Sequence, residues 1–355
     1  MLAIGLMSGT SIDGIDVAAI ETDGLRAVVP RGALTVPYEP ALRARIRSAL
    51  GGTGEIAVIE AEMTEAHARA VAILVREHGL GDASLVGFHG HTVLHRPWER
   101  RTWQIGDGAL LARLTGLDVV NDFRAADVAS GGQGAPLVPL FHQALAADLE
   151  RPLAVLNIGG VANVTWLGPS DDQVLAFDTG PGNALIDDWA MTHTGRPLDE
   201  SGVLAHAGKP DTQHVARFLA HPFFAAAPPK SLDRDDFARF RPEGRSPADG
   251  AATLAAMTVA GILAARRHFP APAKHWLVTG GGRRNPVLMT LLAAQIDAPV
   301  APVEAAGWDG DALEAQAFAY LAVRSVKGLP LSLPQTTGVA APTTGGRLHR
   351  AARRV

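Results

Sequence analysis

The 355-residue sequence contains no cysteine. Disulfides, thiolate zinc sites, iron–sulfur clusters and cysteine nucleophiles are therefore excluded. Lysine is nearly as scarce: Lys209, Lys230, Lys274 and Lys327 are the only four, and the other basic residues are arginines. A Walker A loop needs Gly-Lys followed by Ser or Thr. The one Gly-Lys pair, Gly208-Lys209, runs into Pro210. Any nucleoside triphosphate must therefore be held without a P-loop. Aromatic residues make up only 5%, too few for a single-strand stacking platform. There is no basic surplus: 32 Lys and Arg face 36 Asp and Glu, a net charge of -4. Nucleic acid is not an expected partner. Gly-x-Ser-x-Gly, Gly-x-Gly-x-x-Gly and the kinase His-Arg-Asp loop are all missing. Long apolar runs are missing too. The most apolar uncharged run, Gly250 to Ala265, has 16 residues, short of the ~20 of a membrane helix. No Arg or Lys precedes the first apolar stretch, as a signal peptide would require. The expectation is a soluble, cytoplasmic protein with no membrane partner.

What is present is apolar mass and glycine. Hydrophobic residues are 47%, and there are 38 glycines. A single core stops growing near ~250–300 residues, so two lobes are expected. Strands and helices mix along the chain, which makes the class α/β. Leu2 to Met7 reads as a buried strand, Ser8 to Gly14 as a polar turn and Ile15 to Glu21 as a second strand. Helices are expected over Pro40–Leu50, Glu55–His78, Asp107–Thr115, Ala248–His268 and Gly310–Lys327. A second hairpin, Leu153–Asn157 with Ala162–Leu167, echoes the first and suggests two related halves. The glycine run Gly131 to Gly134 suggests the boundary, giving lobes 1–132 and 133–355. The last segment of the second is free to return to the first.

Four glycine-containing breaks follow expected strands: Ser8–Gly14, Asn157–Val161, Asp178–Asn183 and Gly280–Asn285. Glycine is first of all cheap turn geometry. Exposed backbone amides with Ser and Thr hydroxyls also make anion cradles. In the first break, Ser8, Thr10 and Ser11 supply hydroxyls, and Asp13 and Asp16 supply carboxylates. Carboxylates beside phosphate-binding hydroxyls suit magnesium, which takes few protein ligands and keeps its waters. Turn-shaping is the competing task for both. Asp178 ends an apolar strand, where a general base is well placed. Its alternative is a helix cap, but Pro181 and Gly182 delay the helix start. Asp311 and Glu314 are spaced to form a capping box. His89 and His91, two apart on one expected strand, would share a face. Hydrogen bonding or packing suits them better than metal, since no Cys or His-Glu-x-x-His completes a site.

Together these residues resemble the 1,6-anhydro-N-acetylmuramic acid kinase family. Met7-Ser-Gly-Thr-Ser-Ile-Asp-Gly-Ile-Asp16 is similar to its phosphate loop. His89-Gly-His-Thr92, Gln104-Ile-Gly-Asp107, Asn121-Asp-Phe-Arg124, Asp127 and Gly131 to His142 follow. Then come Asn157 to Asn163, Phe177 to Asn183, Pro229-Lys-Ser231, Thr279 to Gly282 and Asp311 to Phe318. The motifs keep their order from residue 7 to about 318, nearly the whole chain.

The resemblance implies a two-lobed actin-like ATPase (ribonuclease H-like) fold, with the active site in the interlobe cleft. It implies ATP and Mg2+, and a sugar substrate. O6 of the sugar is phosphorylated while water opens the 1,6-anhydro ring at C1, a reaction of peptidoglycan recycling. Asp178 matches the family's general base and Glu314 a second carboxylate. Gly9, Thr10, Ser11, Ile12, Asp13, Gly14, Ile15 and Asp16 would hold phosphates, with Asp13 or Asp16 facing the waters of Mg2+. Asn157, Gly159 and Gly160 would take a second phosphate position, and Gly280, Gly281 and Gly282 would admit adenosine. His91, Thr92, Arg124 and Asp127 would contact the sugar. A homodimer is compatible with the sequence. Two positions depart from the family pattern. His91 stands where Gln is usual, and Leu232-Asp233-Arg234-Asp235 stands where Thr-Gly-Arg-Glu is usual. The alternatives are a kinase of the same fold acting on a free sugar hydroxyl, and a non-catalytic actin-like nucleotide-binding module.

Overall fold

The structure is a computed structural model and describes residues 1–9 and 11–352. Thr10 of the phosphate loop lies outside the described residues. The chain divides into two compact units. Unit 1 is Met1–Asp148 with Asp311–Val355, and unit 2 is Leu149–Gly310.

Unit 1 is built on a six-stranded sheet. Its strands are β1 (Leu2–Met7), β2 (Gly14–Thr22), β3 (Val28–Pro37), β4 (Leu85–Phe88), β7 (Asp118–Asn121) and β13 (Arg347–His349), in the order β13-β7-β4-β1-β2-β3. The strands β5 (His91–Arg96) and β6 (Arg101–Ile105) pair separately as an antiparallel ribbon. β1 is antiparallel to β2 and parallel to β4, and β4 is parallel to β7. Four successive residues of β1, Ala3 to Leu6, are buried, as expected of a strand covered on both faces.

The sheet of unit 2 contains β8 (Leu153–Ile158), β9 (Val161–Leu167), β10 (Val174–Pro181), β11 (Trp276–Thr279) and β12 (Val300–Pro302), in the order β10-β9-β8-β11-β12. β8–β9 and β9–β10 are antiparallel, while β8–β11 and β11–β12 are parallel. Apart from the added edge strand β13, unit 1 has the same order and directions. The two hairpins that look alike in sequence are thus equivalent strands of two like sheets.

Small residues set the helix packing in unit 1. A Cβ at Gly5 would lie 1.7 Å from the Ala315 carbonyl oxygen, and one at Gly87 would lie 2.0 Å from that of Phe318. The helix Leu313–Val326 therefore rests directly on the backbone of β1 and β4. In unit 2 the apolar run becomes the core helix Pro247–Ala265. Ser246 caps it by accepting from the Asp249 amide at 3.1 Å. The stretch Pro247–His268 is long and apolar enough to cross a membrane by length and composition, yet 67% of its apolar window is buried in the protein.

The division falls at 148/149, not at the glycine run near 132/133. That run is fastened within unit 1. Gly134 N donates to Asp127 Oδ1 at 2.6 Å and Gln133 N donates to the Thr337 carbonyl at 2.6 Å. Beyond it, Phe141 packs its ring 5.5 Å from that of Tyr320. The glycines make a tight internal loop, not a linker.

Candidate active site

The phosphate-loop segment joins β1 to β2. Ile12 N donates to the Gly9 carbonyl at 3.1 Å, and Ile12 adopts φ 53° with its side chain buried. The buried apolar anchor secures a left-handed turn that glycine would otherwise supply. Ser11 Oγ donates to Asp13 Oδ1 at 2.6 Å, and Thr35 Oγ1 donates to Asp16 Oδ1 at 2.6 Å. Asp13 and Asp16 thus present oriented carboxylates at the open end of the hairpin. Among the described residues no group of three or more His, Asp or Glu forms a ready metal cage. That donor set fits an ion that completes its shell with water and phosphate.

Glu314 lies in the first turn of the helix that Gly5 and Gly87 admit. Burial, then the nearby Asp16 charge, pushes its carboxyl above the ordinary glutamate range, and Arg124 opposes the shift. The capping box is not formed. The N-cap position is Ala312, with no side-chain cap bond, because the helix begins at Leu313.

The sugar-contact candidates all lie in unit 1, each held by hydrogen bonds to its own neighbours. His89 and His91 do not share a strand. Gly90, at φ 74°, ends the run between β4 and β5, and the two rings part. His89 Nε2 accepts from Arg124 Nε at 3.1 Å, while His91 Nδ1 meets Ser8 Oγ at 3.1 Å. Tyr38 donates its hydroxyl proton to Ser8 Oγ at 2.9 Å. Ser8 Oγ thus links the Tyr38 hydroxyl to His91 Nδ1. Burial holds His91 near a pKa of about 4, so the ring is neutral at pH 7. Its Nε2 is buried with no protein partner. Thr92 Oγ1 accepts from Gln104 Nε2 at 3.2 Å. Arg124 also donates through Nη1 to the Gly134 carbonyl at 2.7 Å. Asp127 is 2% exposed, and its oxygens accept from Gly134 N and, at 2.5 Å, from Thr337 Oγ1. It braces the loop that Arg124 touches.

In unit 2 the three remaining glycine breaks converge. Asn183 N donates to the Gly159 carbonyl at 2.7 Å, and a Cβ at Gly182 would lie 2.2 Å from the same oxygen. Gly280 has φ 74°, and a Cβ there would meet Asn157 Oδ1 at 2.3 Å. A Cβ at Gly282 would meet the Ile158 side chain at 2.4 Å. Asn157, Gly159–Gly160 and Gly280–Gly282 are therefore one backbone-lined patch at the ends of β8 and β11. Asp178 sits beside a bulge in β10, between Asp178 and Gly180, and is 6% exposed. Its Oδ2 accepts from Leu232 N at 2.7 Å, and its own N–H donates to the Lys230 carbonyl at 3.0 Å. The strand continues to Pro181 and the helix starts at Ala184, so Asp178 does not occupy the cap position.

Lys230, the middle residue of Pro229-Lys-Ser231, neighbours Asp178 through its backbone carbonyl. Its Nζ donates to the Phe223 carbonyl at 2.8 Å and lies 4.4 Å from the Phe223 ring centre. Burial pulls its pKa down to about 8, Arg267 adds to the effect, and Asp178 opposes it. The lone lysine within a phenylalanine cluster was the available signal.

The class follows from the repeated sheet. Two units with matching ribonuclease H-like strand order, each carrying a polar glycine turn after its first strand, define a protein of the actin-like ATPase fold. A family model described as "AnmK: Anhydro-N-acetylmuramic acid kinase" matches residues 1–351. The anhydro-N-acetylmuramic acid kinase of Paramagnetospirillum magneticum is 58% identical over 354 residues, covering 98% of this chain and 99% of its own. That of Rhodospirillum rubrum is 55% identical over 355 residues, covering 99% and 94%. The chain belongs to the anhydro-N-acetylmuramic acid kinase family, sugar kinases of peptidoglycan recycling. Among solved structures, component A of the Acidaminococcus fermentans (R)-2-hydroxyglutaryl-CoA dehydratase aligns with TM-score 0.47 and 14% identity, covering 91% and 99%.

Proposed function

We propose that the protein transfers the γ-phosphoryl group of ATP to O6 of 1,6-anhydro-N-acetylmuramic acid while water opens the anhydro ring. The products are N-acetylmuramic acid 6-phosphate and ADP. The reaction balances without a free sugar hydroxyl. The water oxygen bonds to C1, the C1–O6 bond breaks, O6 bonds to phosphorus and the bond to the ADP oxygen breaks. The water's remaining proton needs an acceptor. The observation that carries the reading is Asp178, a buried carboxylate beside the bulge of β10, oriented by the Leu232 amide. It is the base for that water. Glu314, whose proton affinity is raised, is the second carboxylate.

Phosphoryl transfer otherwise needs positioning and charge neutralisation. Ser11, Asp13, Gly14, Ile15 and Asp16, with Gly9, Ile12 and Thr10, form the loop for the phosphates. Mg2+ would be held through its waters by Asp13 or Asp16, and when bound it supplies charge neutralisation on the phosphate oxygens. Asn157, Gly159 and Gly160 offer the second phosphate turn, and Gly280, Gly281 and Gly282 the close approach for adenosine. Arg124 suits the lactyl carboxylate, because a guanidinium pairs carboxylates bidentately. His91 presents its buried Nε2, which has no protein partner, to a polar group of the sugar. A neutral imidazole, like a glutamine amide, both donates and accepts hydrogen bonds, which makes the departure from the family pattern conservative in chemistry. Thr92 adds a hydroxyl, and Asp127 reaches the sugar with whatever acceptor capacity its braced carboxylate retains. The reading places the protein in the cytoplasm, where ATP is available.

The test is a coupled assay with the anhydro sugar and Mg-ATP. ADP release should depend on the sugar. Asp178→Asn should lower turnover by a factor of about 10³ or more while nucleotide affinity stays unchanged. Full turnover in that variant would remove the assigned base.

A further inference from the structure

Asp178 is not oriented by its own strand alone. Its N–H and its Oδ2 both bond to the segment 230–232, the former to the Lys230 carbonyl at 3.0 Å and the latter to the Leu232 amide at 2.7 Å. Two residues further on, Arg234 forks onto Asp188. Its Nη2 reaches Oδ1 at 2.7 Å and its Nη1 reaches Oδ2 at 3.2 Å. Arg241 Nη2 adds a third bond to Asp188 Oδ2 at 2.8 Å. Asp188 stands on the helix Ala184–Thr194, which follows Asp178 in the chain. The N-cap residue of that helix, Asn183, is tied to the glycine turn through the Ile158 carbonyl at 2.9 Å. The path from Asp178 through the helix to Asp188, across to Arg234 and back through Leu232 is therefore closed.

We propose that Arg234, clamped to Asp188, is a positioning residue for the reaction: it holds the 230–234 segment so that the Leu232 amide fixes the plane in which Asp178 takes the water proton. The inference rests on Asp178 being the base. It also accounts for the departure Leu232-Asp233 from the family's Thr-Gly. The contact to Asp178 is made by a backbone amide, which any residue but proline supplies, whereas the arginine fork cannot be replaced so freely. Burial alone would raise the Asp188 carboxyl, but Arg234 and Arg241 outweigh it and hold it below the usual range, so the clamp stays charged. The charges facing Arg234 are Asp187, Asp188 and Asp235, with Arg241 and Asp199 nearby; Lys230 is the charge beside Asp178.

The experiment measures kcat, both KM values and the pH profile of kcat for Arg234→Ala, Arg234→Lys, Asp188→Asn and Asp178→Asn. Arg234→Ala should lower kcat by roughly 10- to 100-fold, because a misplacement of about 1 Å suffices. Both KM values should stay within about twofold. A carboxylate that loses a donor binds its proton more tightly, so the acidic limb of kcat should move up by roughly half to one pH unit. Arg234→Lys should restore part of kcat. Asp188→Asn should reproduce the alanine signature, which guards against an alanine variant that fails to fold. Asp235→Ala, at an exposed partner of Arg234, should leave kcat unchanged. Wild-type kcat with an unmoved acidic limb in both clamp variants would overturn the proposal. So would a joint collapse of kcat, KM and melting temperature with no rescue by lysine. Full activity of Asp178→Asn would overturn it together with the base assignment, and the two failures are thus distinguishable.

Discussion

Gly5→Ala tests whether the position of Glu314 is set by backbone contact. The added Cβ would stand 1.7 Å from Ala315 O and 2.6 Å from Ala319 N. Real Cβ contacts do not fall below 3.0 Å, so the helix must lift by about 1.3 Å or more. Both obstacles are backbone, so no rotamer change relieves them. Overpacking of a core costs about 1–3 kcal/mol, and two backbone contacts place this site near 3 kcal/mol. Glu314 adjoins Ala315 and must move with it. A shift of that size lowers kcat by roughly 10²-fold. The assay is hydrogen–deuterium exchange of the helix Leu313–Val326, read beside kcat. Gly79→Ala serves as the comparison. Gly79 has φ 65° and nothing within 4 Å of its added Cβ, so strain of about 1 kcal/mol should leave kcat untouched. Wild-type protection of the helix and wild-type kcat in Gly5→Ala would refute the reasoning.

Asp127→Asn should destabilise unit 1 by about 2–3 kcal/mol, because an amide nitrogen would replace one acceptor of a buried, doubly bonded carboxylate. A thermal melt checks this, and the KM for sugar should rise as the loop at Gly134 loosens its hold on Arg124; an unchanged melt would contradict the bracing. Acid should open unit 1 first. Burial lowers His67, His91 and His95 to about 4 and His142 to about 3, and all four lie in that unit. Above the unfolded pKa of ~6.5 each is neutral in both states; as pH falls the unfolded chain takes a proton that the fold refuses. At pH 5 the loss is on the order of 2 kcal/mol for a His near 4. Hydrogen exchange at pH 7 and pH 5 should show unit 1 loosening, and prior loosening of unit 2 would contradict the account.

Local chemistry was legible. The Ser8–Gly14 turn, the hairpin echo and the breaks at Asn157–Val161 and Gly280–Asn285 follow from turn residues after apolar runs, whereas at Asp178–Asn183 the strand runs on through a bulge to Pro181. Asp107 and Asp211 cap helices that begin one residue after them. Edge elements were not legible. β3 contains Pro30, Arg31 and Gly32 and is mostly solvent-facing, so it lacks buried alternation. The β5–β6 ribbon hides among His, Arg and Trp residues. The unit boundary was misplaced because a glycine run reads as a linker until its amides are seen to bond inward. Contacts through backbone leave no side-chain signature. The Leu232 amide on Asp178 is one, and the seating of Ala315, next to Glu314, on Gly5 is another.

The most direct measurement is incubation with 1,6-anhydro-N-acetylmuramic acid and Mg-ATP in heavy-oxygen water, followed by mass spectrometry of the product. The account predicts one heavy oxygen at C1, none in the bond between O6 and phosphorus, and phosphate on O6. A phosphorylated sugar with its anhydro ring intact and no label at C1 would contradict it.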